Sequence, residues 1–82
     1  MTPYEPAFEV GEMVQIAERG ELEDFMRKWK HHNPLTAQQL DYAGKCREIV
    51  RVGIYHGGDV LYELSQTPGI WHEACLKATD DG

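Results

Sequence analysis

The side chains able to bind a metal or attack a substrate are His31, His32, His56 and His72, together with Cys46 and Cys75. A structural zinc site draws on close ligand pairs such as Cys-x-x-Cys, because a single turn then presents two donors to one ion. Only His72-x-x-Cys75 comes near that spacing, and it has no second pair. A turn histidine and a buried cysteine account for the same residues, so neither metal nor cofactor is expected. A nucleophilic Cys46 or Cys75 beside His72 requires a pocket that stabilises the thiolate. Cys46 falls on the inward parity of a strand, where a thiol packs as a small hydrophobe. The chain therefore reads as non-enzymatic, and a small hydrolase or thiol enzyme built on Cys75 and His72 is the last-placed alternative.

Two further constellations have ordinary explanations. Glu21, Glu23 and Asp24 are close enough for acid/base work, yet they fall in the first turn of a helix, where acids complement the dipole. Gly57-Gly58 sits between two strands and precedes no helix, which leaves no helix N-terminus to cradle a phosphate. The aromatic residues are more telling. Tyr42, Tyr55 and Trp71 fall at or beside loops, and rings at strand ends offer large apolar area with a polar edge at low entropic cost. His56 and His72 add adaptable donors beside them. Tyr42, Tyr55, His56, Trp71 and His72 thus form the expected ligand-binding or peptide-binding set, with Tyr55 the principal contact. For Trp71 the alternative is a ring that plugs one end of a barrel and touches no ligand.

The elements that must position these residues centre on Gly44–Leu64. Cys46, Glu48, Val50, Val52 and Ile54 share one parity, and Lys45, Arg47, Arg51 and Tyr55 the other, as in a half-buried strand. This places Cys46, Val50, Val52 and Ile54 inward. In a second arm Val60, Tyr62 and Leu64 alternate with Leu61 and Glu63, and His56-Gly57-Gly58-Asp59 supplies the reversal. Upstream, Phe8, Val10, Val14 and Ile16 suggest a first strand bent at Gly11. After Gly20 the period changes: Leu22, Phe25, Met26 and Trp29 make one stripe of an amphipathic helix, and Asn33-Pro34 stops it. Thr36 can cap a further short turn that points Leu35 and Leu40 inward. Pro68-Gly69 is turn chemistry, Ile70–His72 a short strand, Glu73–Cys75 a single tight turn, and Leu76–Ala78 a closing strand.

A mainly β fold follows: a small barrel of about five short strands, with one α-helix inserted after the first, since curling hides short edges. The domain runs over residues 8–78, with residues 1–7 a flexible arm and 79–82 a flexible tail. Eighty-two residues allow one modest core and no deep pocket. Eight Lys plus Arg against fourteen Asp plus Glu leave a formal charge of −6, which opposes direct nucleic-acid binding. No run reaches the roughly 18 apolar residues of a membrane span, and the N-terminus lacks a signal-peptide profile. A cytoplasmic location with Cys46 and Cys75 reduced is expected.

The order Phe8-Glu9-Val10-Gly11-Glu12-Met13-Val14, a Leu-Glu-Asp-Phe-Met helix, Gly44, Gly58-Asp59-Val60-Leu61-Tyr62-Glu63-Leu64 and Trp71-His72-Glu73-Ala74-Cys75-Leu76-Lys77 resembles the SH3-like repeat domain of Mind bomb and large HERC-type E3 ubiquitin ligases. The chain departs from that family at Arg47, where a second glycine is usual, and at Glu73, where a proline is usual. The resemblance implies an SH3-like barrel that recruits substrate tails for ubiquitination. It points to a non-catalytic protein- or peptide-binding module. The alternative is a small acidic stand-alone regulator or inhibitor, such as a phage-borne one, blocking a basic surface of a larger enzyme or nucleic-acid machine.

Overall fold

Alternation over Val60–Leu64 and β-branched residues on either side dictate strands, and strands supply the architecture of the computed structural model, which describes residues 6–30, 33–55 and 59–79. The elements are β1 (Met13–Ile16), α1 (Arg19–Lys28), α2 (Ala37–Leu40), β2 (Cys46–Ile54), β3 (Val60–Leu64), β4 (Trp71–His72), a 3-10 turn (Glu73–Cys75) and β5 (Leu76–Ala78). The sheet is antiparallel in the order β4-β3-β2-β1-β5. β2 is the shared strand: its first residues pair with β1, and the stretch from Ile49 onward pairs with β3. The fold is thus mainly β with an SH3-like strand order, and among the described residues no pairing joins β4 to β5, so the barrel is not closed. Two helices, not one, fill the β1–β2 connection.

The core gathers Val14 and Ile16 of β1, Leu22 of α1, Leu35 and Leu40 around α2, Ile49 of β2, Val60, Tyr62 and Leu64 of β3, then Trp71, Cys75 and Leu76. β3 alternates as expected, with Val60, Tyr62 and Leu64 buried, but the inward parity of β2 is not the expected one. Ile49 is fully buried, whereas Cys46 is exposed, Val50 is 49% exposed and Ile54 53%. For Cys46 and Val50 the reason is a register shift between Ile49 and Arg51, which leaves Val50 as the extra residue of a β-bulge, whereas Ile54 keeps the inward parity and is exposed as the last residue of the strand. Before the bulge Ile49 is the inward residue; after it Val52, opposite Tyr62, packs on the core. A second correction concerns the start of the chain. Phe8 and Val10 are not strand, because Glu12 N–H closes a turn on Glu9 C=O (3.0 Å) with Gly11 at φ +92°. Phe8 is nonetheless buried, its ring edge-on to Tyr62 at 5.7 Å. Ala7, assigned from sequence to the arm, donates its N–H to Glu73 Oε2 (2.9 Å). The reversal at His56–Gly58 lies outside the described residues, though Tyr55 N–H donates to Asp59 C=O (2.8 Å) beside it.

α1 starts at Glu18, whose N–H is accepted by Glu21 Oε1 (3.2 Å) in a capping box, and Lys77 of β5 reaches the same carboxylate (2.9 Å). α2 is capped by Thr36 as expected. Its Gln39 is 1% exposed and spans two elements: Oε1 accepts Thr36 N–H (2.9 Å), and Nε2 donates to Ile70 C=O (3.0 Å). Gly69 sits against it at φ +86°, where an added Cβ meets the Gln39 carboxamide at 2.6 Å. The glycine therefore satisfies both the turn and the close approach of Gln39. Gly69→Ala is expected to destabilise the fold by about 2 kcal/mol in urea unfolding. Gln39→Ala should cost a similar amount through its orphaned partners, and the double variant should lose less than the sum because the clash disappears.

Candidate functional site

The bulge decides which residues of β2 face outward. Beyond it, Arg51 stands opposite Glu63, and Gly53 opposite Leu61, on the face turned away from the core. With Asn33 and Ile70 as walls, these residues line a groove of about 220 Å³ on the outer side of β2 and β3. Gly53 makes its notch, since a Cβ built there meets nothing within 4 Å. One rim carries both charges, Arg51 Nη1 lying 3.6 Å from Glu63 Oε2. That pair is solvent-exposed and adds little stability, so its charges remain usable by a ligand. Tyr55, 40% exposed, follows on the same parity as Arg51 and Gly53.

The structure separates the five residues expected at the site. Tyr42 is half-buried in the turn leading into β2, with the Arg47 guanidinium over its ring at 5.9 Å. Tyr55 lies at the other end of β2, so these two rings do not form one patch. His56 lies outside the described residues. Trp71 and His72 are corrected: they are 0% and 4% exposed and present no ring to a ligand. Trp71 packs in the core, and among the described residues its Nε1–H has no hydrogen-bond partner. His72 is covered by α1, its ring centre 4.9 Å from those of both Phe25 and Trp29, with Nε2–H donating to Asn33 C=O (2.7 Å). A two-residue strand offers no exposed face when the barrel fills one side and a helix the other. Gly53, Leu61, Ile70 and Asn33 escaped the sequence reading. Only Gly53 carried a signal there, as a glycine inside a strand often marks close approach by another group.

The two thiols differ in access. Cys75 is 2% exposed; burial pushes its thiol up to about 12, the nearby Glu21 charge adds to the rise, and a hydrogen bond from the His72 backbone opposes it. It is a protonated thiol at neutral pH, whereas Cys46 is exposed. A second recess of about 280 Å³, lined by Ala17, Glu21, Asp24, Phe25, Lys28 and Cys75, lies beside α1. Its carboxylates are engaged: Lys77 holds Glu21 below the usual carboxylate range, and Lys28 does so for Asp24. Among the described residues no three His, Cys, Asp or Glu side chains converge as metal ligands. No helix among them is long and apolar enough to cross a membrane. Tyr62, buried and donating its hydroxyl to Glu73 Oε2 (2.7 Å), is raised above the usual phenol range by burial first and the carboxylate second.

Comparisons with protein-family models, curated proteins and solved structures find no match to this chain.

Both raised groups keep their protons in the folded state after the unfolded chain has released them. The stability that the buried thiol contributes is therefore whole below pH 9, its ordinary value, and is lost as pH rises toward about 12, where the folded thiol ionises. Urea titrations from pH 8 upward should show this loss, and Cys75→Ala should flatten part of it. In the native protein a thiol reagent should modify Cys46, with Cys75 reacting only on unfolding.

Proposed function

We propose that this domain is a non-catalytic interaction module of the cytoplasm, which docks a short basic or mixed-charge peptide segment from a partner protein. The observation that carries the reading is the outer groove: an apolar floor of Leu61 and Ile70, a notch at Gly53, and the Arg51–Glu63 pair on its rim. A cavity of about 220 Å³ suits one or two peptide side chains and is too small for a large cofactor. Tyr55 continues the same face with an amphipathic ring. The excess of acidic residues favours encounter with a cationic segment. A substrate-recruiting role like that of the Mind bomb repeats is one form of this activity, and it agrees with the order of motifs from Phe8 to Lys77.

The test is a selection of binders from a random short-peptide display, followed by amide chemical-shift mapping of the best of them. Perturbations should centre on Gly53, Tyr55, Leu61 and Ile70. Gly53→Val puts its side chain into open space, so the fold should persist while affinity drops by about ten-fold or more. Tyr55→Ala should weaken binding by a similar factor. Shifts confined to the exposed side of α1 around Arg27 and Lys30, or Gly53→Val binding as tightly as the parent, would falsify the assignment.

A further inference from the structure

β2 has nine residues, but β1 accompanies only its first three, Cys46–Glu48. The last bonds along that edge are Ile49 N–H to Glu12 C=O (2.9 Å) and Gly11 N–H to Ile49 C=O (2.8 Å). From there the chain preceding β1 turns away through Glu9–Glu12, and no described strand lies beside Val50–Ile54 on that side. The backbone direction past the bulge is settled at the far end. Tyr55 N–H donates toward Asp59, so by alternation Arg51 and Gly53 point their amide groups to β3, and Val52 and Ile54 point theirs to the bare edge. The side chains agree, since Val50 and Ile54 are about half exposed beside it. An uncovered strand edge with apolar side chains is a template for another strand.

Charge identifies the occupant. Glu9, Glu12 and Glu48 mark the end of the bare edge where β1 leaves, and among the described residues none of them forms an ion pair. The cation within that half of the strand, Arg51, is directed to Glu63 on the neighbouring strand. A second copy of this chain brings its own charge of −6 and the same carboxylates, which repel in an edge-to-edge pairing. We infer that the Val50–Ile54 edge of β2 accepts an extended segment of a partner protein as an added strand, one carrying lysine or arginine at the end that meets Glu9, Glu12 and Glu48 and β-branched residues opposite Val52 and Ile54. This surface is distinct from the outer groove, since it uses main-chain groups at the strand's edge and not side chains on the sheet's face.

The experiment uses the full chain and a blocked probe peptide in which lysine alternates with valine, titrated while amide hydrogen exchange is read residue by residue. Binding should slow exchange at Val52 and Ile54 by about ten-fold or more, weaken as salt is added, and vanish when the peptide is N-methylated along one edge. The glutamate–valine counterpart should not bind. Glu9 and Glu48 are exposed, so Glu9→Lys with Glu48→Lys should leave the fold intact and reverse the preference between the two peptides. Unchanged exchange at Val52 and Ile54, equal binding of both peptides, absence of binding at millimolar peptide, or concentration-dependent dimerisation of the protein alone would each overturn the inference. Gly53→Val separates the two surfaces: it should leave this probe's affinity intact, and a probe that instead loses its affinity is seated in the groove.

Discussion

One extra residue in β2 governs what this domain can present. Continued alternation from Ile49 would carry Arg51, Gly53 and Tyr55 inward, putting a guanidinium, a void and a phenol where the barrel needs hydrocarbon. The insertion of Val50 restores the pattern by sending Val52 and Ile54 to the side of Tyr62 and Val60 and setting Arg51 opposite Glu63. It also directs the amides of Val52 and Ile54 to the edge that β1 has left. The filled interior, the outer groove and the bare edge all follow from this local change of register.

A barrel of this size has little core, and the structure supplements it with buried polar joints. Gln39 ties α2 to the chain entering β4, and His72 ties β4 to the segment after α1 while sitting between Phe25 and Trp29. Tyr62 and Glu73 do the same for the N-terminal residues, through Phe8 N–H and Ala7 N–H. Buried hydrogen bonds of this kind each add modest net stability, but leaving one partner orphaned costs more, so they specify which segments lie together. The helices and the N-terminal residues are thereby committed to covering the barrel. Among the described residues, the outer face shared by the far half of β2 and β3 is left open by these elements.

That division separates chemistry from contact. Cys75 and His72, the His-x-x-Cys pair of the sequence, are spent on packing, with the Cys75 thiol held neutral by its burial. Among the described residues of the far hairpin, those left to solvent include a glycine, aliphatics, a tyrosine and one ion pair, side chains of the kind found at contact surfaces.

Periodicity and punctuation by themselves determined the number and order of the strands, the helix stripe from Leu22, the Thr36 cap, the Pro68-Gly69 turn and the alternation of Val60, Tyr62 and Leu64 with Leu61 and Glu63. Each is a local property: side-chain parity, capping chemistry or a positive φ is decided within a few residues. Tyr55 could be placed outward for the same reason. Only the tertiary structure decided that Ile49 and not Cys46 enters the core, because a bulge is recognised by what pairs across from it. It alone buried Trp71 in the core and His72 beneath Phe25 and Trp29, which lie more than forty residues away in sequence. It alone turned Gly53 from a weak strand residue into the notch of a groove, since Asn33 and Ile70 come from distant segments. Burial and pockets are made by non-local contacts, and a linear pattern carries no record of which elements will meet.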